Sequence, residues 1–334
     1  MRRTRAFTLL PALALAGPAL GVHVGSPGAA SFPVPAHSHR VAAGAPGAPA
    51  AAGRAGSDLP RENIAPPARL PRAGLTGRGA LEQPVGEGSG LALSRAEMET
   101  FLRQARVVRI RSVSKGITGT VRATLTDGAL THDASIQTID ESRKEFQTDR
   151  GVELNFRDTW RFNVAAYLLD KLLDLQMTPA TVERSYGGRD ASFTWWVDDV
   201  LMDEGERLRQ RVRPPDLRSW ADQMWVVRVF DQLVYNTDRN VGNLLIDRAW
   251  RLWMIDHTRA FRWHRALRSP ENLVRCDRDL LERLRRLDEA TLERELGRYL
   301  GPMEIKGILA RRDLIVAHFD RAGPATLYDR VTRR

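Results

Sequence analysis

Tyr235-Asn-Thr-Asp-Arg-Asn-Val-Gly-Asn-Leu-Leu245, followed by Ile255-Asp-His-Thr-Arg-Ala-Phe261, holds Asp238, Asn243 and Asp256 in an order that chemistry can use. Moving a phosphoryl group requires a side chain that orients or deprotonates the incoming hydroxyl. It also requires oxygen ligands that keep Mg²⁺ against the nucleotide phosphates. An Asp, then an Asn after four intervening residues, then a later Asp is the order in which a kinase catalytic loop carries these groups. The spacing predicts Asp238 as base and Asn243 and Asp256 as metal ligands. Taken singly, Asn236-Thr-Asp-Arg239 is equally an ordinary turn and Ile255-Asp-His257 an ordinary strand end, places that Asn and Asp favour anyway. The ordered set is what shifts the weight.

The flanks fit. Leu244-Leu-Ile-Asp247, a polar Arg248-Ala break and Arg251-Leu-Trp-Met-Ile255 predict two short strands and a turn, which would carry Asn243 and Asp256 back together. Upstream, Ser219 with Asp222 predicts a helix start, with Trp225, Val226, Val229, Phe230 and Leu233 as its core face. Downstream, Asp277 and Asp288 read as helix caps and Pro302 as a first-turn residue.

Nearer the N-terminus the pattern changes to strands. Ser94-Arg-Ala-Glu97 is a capping box for a short helix. Val107–Val113, Val121–Leu125 and Ala129–Ile139 predict an antiparallel meander, broken by Ser114–Gly119 and by Thr126-Asp-Gly128. Asp158 is placed to cap a helix over Thr159–Leu175. Thr181–Ser185 and Ser192–Val197 flank Tyr186-Gly-Gly-Arg189 as a hairpin, ahead of a charged connector with Pro214-Pro215. The expected fold class is α+β: a β-rich N-lobe over 91–200 and a mainly helical C-lobe over 201–325. In the Ser114–Gly119 loop, Gly116 and Gly119 permit close backbone approach and Lys115 supplies charge, a combination that suits phosphate and equally suits a simple hairpin turn.

Residues 1–90 offer little core. Met1-Arg-Arg-Thr-Arg5 and the apolar stretch to Leu20 predict a signal peptide over 1–22, hence export to a periplasmic, extracellular or secretory compartment, with the cytoplasm as the alternative. Residues 23–90, rich in Ala, Pro, Gly and Arg, predict a disordered arm in which His37 and His39 are solvated. Cys276 is the only cysteine, which excludes an intramolecular disulfide and a Cys-rich zinc site. A net charge of +10 favours anionic partners, membrane surfaces among them. No zinc-finger spacing or aromatic RNA-binding signature accompanies the charge, which argues against specific nucleic-acid recognition.

Over Val107 to Phe319 the chain resembles the atypical kinases of the phosphatidylinositol 3-/4-kinase-like group, especially type II phosphatidylinositol 4-kinases, HipA kinases and four-jointed-type secretory kinases. The strongest matches are Phe230-Asp231 and the two motifs quoted above. The resemblance implies a two-lobed fold, ATP with Mg²⁺ or Mn²⁺, and a hydroxyl acceptor. It implies the roles already given for Asp238, Asn243 and Asp256, with Asp231 as support of the catalytic loop. It also places Gln137 where the family has a phosphate-reaching lysine and Asn163 where it has the partner glutamate. The two amides together could form a neutral hydrogen bond, a compensated replacement of an ion pair. Phosphate charge would then fall to Lys115, with Lys144 as a second candidate and Glu153 as an alternative helix-side partner. Arg239 beside the base reads as a structural ion-pair partner.

The expected function is ATP-dependent phosphoryl transfer to a protein, lipid or small-molecule hydroxyl. The alternatives are a pseudokinase that binds nucleotide without turnover, motivated by Gln137 and Asn163, and a secreted basic protein that binds anionic envelope components.

Overall fold

A computed structural model describes residues 93–112, 120–148 and 151–330. The expected leader and arm, with His37 and His39, lie outside these residues, as do Lys115, Gly116 and Gly119.

The chain enters through α1 (Arg95–Gln104), where the Ser94–Glu97 capping box forms as expected. β1 (Arg106–Ser112), β2 (Val121–Thr126) and β3 (Thr131–Gln137) then make the predicted antiparallel meander. After α2 (Arg161–Leu173), β6 (Thr181–Tyr186) and β7 (Arg189–Trp195) complete a five-stranded sheet in the order β1-β2-β3-β7-β6. Gly187 and Gly188, at φ of 58° and 75°, close the β6–β7 hairpin in the left-handed region where two-residue hairpin turns need glycine. Leu125, Ala134, Ile136, Val182 and Phe193 form the core of this lobe against Leu102 and Tyr167 of the two helices.

Between β3 and α2 lies a pair of strands that the sequence pattern did not signal: β4 (Asp140–Thr148) and β5 (Gly151–Thr159), a two-stranded antiparallel sheet of its own. Most of its side chains are solvated, so it lacks the apolar alternation by which half-buried strands are recognised. β5 also overturns one reading. Asp158 belongs to this strand and caps no helix; α2 begins at Arg161 behind Trp160, with no side-chain cap. The strand carries Asp158 into the interior because Thr159 N–H must reach the Thr258 carbonyl, at 3.0 Å.

α2 is tied from outside. Glu99 of α1 accepts from Tyr167 Oη (2.8 Å) and Lys171 Nζ (2.6 Å). Asp170, fully buried, accepts from Arg95 Nη1 (2.7 Å) and from the backbone N–H groups of Gln176, Met177 and Thr178 (2.9–3.1 Å).

The charged connector after β7 contains β8 (Val200–Asp203) and α3 (Glu204–Gln210). α4 (Leu217–Val234) is capped by Asp216; Ser219 and Asp222, expected at its start, lie inside it, and Asp222 is buried. Val226, Val229, Phe230 and Leu233 form its core face, whereas Trp225 turns to a half-exposed position under Arg228. β9 (Leu244–Asp247) and β10 (Leu252–Met254) form the predicted hairpin and join β8 in a three-stranded sheet. β11 (Cys276–Asp277) leads into α5 (Arg278–Arg286), α6 (Glu289–Leu296) and α7 (Pro302–Ala322), with Asp277, Asp288 and Pro302 in the roles expected of them; β12 (Leu327–Tyr328) pairs with β11. Cys276 is fully buried. The architecture is α+β, with β-sheets first and helices after, in two lobes.

Asp170 orders the turn after α2 through several buried donors. Asp170→Ala should therefore destabilise the fold by about 3–5 kcal/mol in chemical denaturation, while Arg103→Ala, which removes an exposed guanidinium and leaves Glu99 its bonds from Tyr167 and Lys171, should stay within about 1 kcal/mol. Equal small losses would contradict this account of the turn.

Candidate active site

Three backbone devices bring the site together. α4 ends at Tyr235, whose φ of 49° reverses the chain while its N–H satisfies the Asp231 and Gln232 carbonyls. Asn236 Oδ1 then accepts from Asp238 N (3.0 Å), an Asx turn that fixes the start of the loop carrying Asp238. The β9–β10 hairpin extends one step beyond its strands, Ile255 N donating to Asn243 O at 3.1 Å, so that Asn243 and Asp256 return to one end of the hairpin. Asn243 Nδ2 faces the Asp238 carbonyl at 3.5 Å.

Arg239 knits these parts. Its guanidinium binds Asp231 Oδ2 (3.0 Å), the carbonyls of Asn243 (3.1 Å) and Ile255 (2.9 Å), and His257 Nε2 (2.9 Å). Asp231 thus supports the loop as expected, and Arg239 serves as a structural partner. Arginine only donates, so His257 Nε2 must accept. The ring is neutral with its proton on Nδ1. Complete burial, with the Arg239 charge in addition, holds the His257 pKa well below 6.5 and agrees with that tautomer.

The segment after Asp256 is stitched to both lobes. His257 N–H donates to Asn163 Oδ1 (2.8 Å), Thr258 O accepts from β5, and Arg259 O accepts from Thr237 N and Oγ1. Phe261 N–H reaches the Val234 carbonyl at 2.6 Å. Asp256 and Phe261 both adopt φ of 55°, unusual for residues other than glycine. Thr258 Oγ1 donates to Asp256 Oδ1 at 3.1 Å.

Asp158 is the residue that sequence reasoning placed wrongly. Its carboxylate is buried, and Oδ1 has no hydrogen-bond partner. Burial, and then the charges of Asp256 and Asp238, push its pKa up against the Thr258 hydroxyl, whose one proton serves either Asp158 or Asp256, and against the Arg259 charge. Asp238 keeps a half-exposed side chain; partial desolvation raises its pKa, Asp256 adds to the rise, and Arg259, Arg268 and Arg239 oppose it. Three carboxylates therefore feel one another here. Among the described residues no group of three His, Cys, Asp or Glu side chains converges into a ready-made metal cage.

Gln137, at the end of β3, and Asn163, in the first turn of α2, meet as the neutral pair expected of them. Asn163 Nδ2 donates to Gln137 Oε1 and lies 3.3 Å from Ser192 Oγ, and Gln137 Nε2 donates to Thr120 Oγ1 at 3.0 Å. Because Asn163 Oδ1 also holds His257, the pair connects β3, α2 and the backbone next to Asp256. Glu153 is not a partner of the α2 side. From β5 it grips Arg259 (3.2 Å) and Arg262 (2.7 Å), beyond Asp256. Lys144 is exposed on β4. Arg259 and Arg268, which flank Asp238, escaped the sequence reading because nothing local distinguishes them among so many arginines.

No protein-family model and no curated protein matches this sequence. Among solved structures, a hydra Fam20 solved with a sugar superposes with a TM-score of 0.55 at 13% identity, over 71% of this chain and 93% of that one. A Golgi casein kinase gives 0.47 at 12%, over 71% and 79%. The Helicobacter pylori proinflammatory kinase CtkA gives 0.38 at 10%, over 65% and 96%. The likeness to the hydra protein is one of architecture, and with the lobes described above it shows that this chain shares that protein's two-lobed, kinase-like fold.

Proposed function

We propose that the protein is an ATP-dependent phosphotransferase, with Asp238 as the base for an acceptor hydroxyl. The observation that carries the reading is the return of Asn243 and Asp256 to one end of the β9–β10 hairpin beside Asp238, within a kinase-like fold. A carboxylate whose pKa is raised above its ordinary value is a stronger proton acceptor, which suits a base. The buried, unpartnered oxygen of Asp158 is the fit test for a divalent cation, because a carboxylate in that state is costly until a cation meets it. Asn243, Asp256 and Asp158 would hold Mg²⁺ or Mn²⁺. Such an ion, when bound with nucleotide, neutralises phosphate charge.

Mg²⁺-dependent thermal stabilisation by ATP should be lost in Asp256→Asn and retained in Asp238→Asn. Phosphoryl transfer, followed with radiolabelled ATP, should fall about 10²–10⁴-fold in Asp238→Asn. No stabilisation by ATP with either Mg²⁺ or Mn²⁺ would rule the reading out. Stabilisation without any transfer would favour the pseudokinase, the second reading that the Gln137–Asn163 pair supports.

Asp158 gives a second test. Its folded pKa lies above the ordinary 3.8, so its contribution to stability is complete below that value and is lost as pH rises through the folded pKa. At neutral pH the metal-free protein carries the cost of the ionised form. Asp158→Asn should raise the metal-free melting temperature by about 2–4 °C and weaken Mg²⁺–ATP stabilisation; a lower melting temperature would count against the electrostatic account.

The amide pair yields a third. Gln137→Lys or Asn163→Glu alone introduces one buried charge, whereas together they restore an ion pair. Each single variant should lower stability by about 1–3 kcal/mol, and the double variant should recover much of the loss. Additive losses in this double-mutant cycle would mean that the two positions are not coupled.

A further inference from the structure

Arg259 is held in a position that the phosphate side of the site does not use. Its guanidinium lies over Phe156 at 4.9 Å and Phe146 at 5.8 Å, and Glu153 Oε2 fixes Nη2 at 3.2 Å. These contacts aim Nη1 at Asp238 Oδ2, 3.7 Å away, too far for a hydrogen bond. Its Nε is buried without a partner. On the other side of the loop Arg268 donates from Nη1 to Asn236 O at 2.5 Å; its remaining nitrogens make no other hydrogen bond among the described residues, and the residue is exposed.

A hydroxyl that gives its proton to Asp238 must approach within about 2.6–3.2 Å of the carboxylate. Given the Arg259–Asp238 distance, its oxygen then falls within about 7 Å of Arg259 Nη1, so a substituent a few bonds away reaches the guanidinium. The carboxylates facing Arg259 are Glu153, which holds it in place, Asp238 itself, and Asp158, whose carboxyl feels the Arg259 charge. An anion arriving with the acceptor would take the Nη1 donor and relieve Asp238 of the neighbouring cation.

Resting on the phosphotransfer reading, we infer that the acceptor carries an anionic group, a phosphomonoester or a carboxylate, beside its hydroxyl, and that Arg259 and Arg268 bind it. Arg268 keeps Nε and Nη2 for a two-donor fork, Arg259 adds Nη1, and two cations attract a doubly charged phosphomonoester more than a singly charged carboxylate.

Calorimetric titration of inorganic phosphate, and separately of acetate, into the full chain at constant ionic strength tests this with Mg²⁺–ADP present and absent. Saturable phosphate binding, tighter than acetate, should weaken at least tenfold in Arg259→Gln and in Arg268→Gln and less in Arg259→Lys, with circular dichroism and melting curves confirming the fold of each variant. Acetate binding as tightly, with the same dependence on both arginines, would support the inference and assign the group as a carboxylate. No saturable binding of either anion, or binding equally strong in the Gln variants, overturns it. ADP binding is read in the same instrument, so failure of the nucleotide site is seen separately from failure of the anion site.

Discussion

The hydrogen bonds of the Arg239 guanidinium bring together what would otherwise be separate pieces of chain. One side chain satisfies a carboxylate at the end of α4, two carbonyls at the mouth of the β9–β10 hairpin and a buried imidazole one residue beyond Asp256. A buried guanidinium is tolerable only when its donors find acceptors, so the position of Asp231, the closure of the hairpin and the neutral state of His257 are mutually conditional. Asp238 is the residue immediately before this hub, and Asp256 the residue between two of its partners. The placement of Asp238 and Asp256 therefore depends on the hydrogen bonds of Arg239.

On the other lobe the organising contact is neutral. Gln137 and Asn163 link β3 and α2 without a buried charge, and Asn163 extends the link to His257 N–H. An ion pair at this place would contribute stronger electrostatics and a larger desolvation cost; two amides give up the charge and keep the connection. Charge near Asp238 comes instead from carboxylates at Asp158 and Asp256 and from arginines at 239, 259 and 268. The hairpin of β4 and β5 contributes on both sides, delivering Asp158 to the carboxylates and Glu153 to Arg259.

Much of this could be read from sequence where local rules dominate. The capping box at Ser94, the Gly187-Gly188 turn, the alternation around Asp247 and the caps at Asp277 and Asp288 are each set by residues within a few positions of one another, and each formed where expected. The pairing of Gln137 with Asn163 came from comparing both positions with one family pattern. Asp158 was misread because an Asp before a helical pattern looks like a cap whether or not the chain is still in a strand. Ser219 and Asp222 were misread for a related reason, since Asp216, just after Pro214-Pro215, captures the helix start first.

What the sequence determined by itself was the α+β class, the helices and hairpins set by local caps and turns, and the spacing of Asp238, Asn243 and Asp256, because propensity, capping and turn chemistry act over short separations. Only the tertiary structure decided that Asp158 faces Asp256 across Thr258, that Glu153 aims Arg259 at Asp238, and that Arg239 serves the scaffold. Those pairings join residues far apart in the chain, and burial and charge selected them only after both lobes had packed.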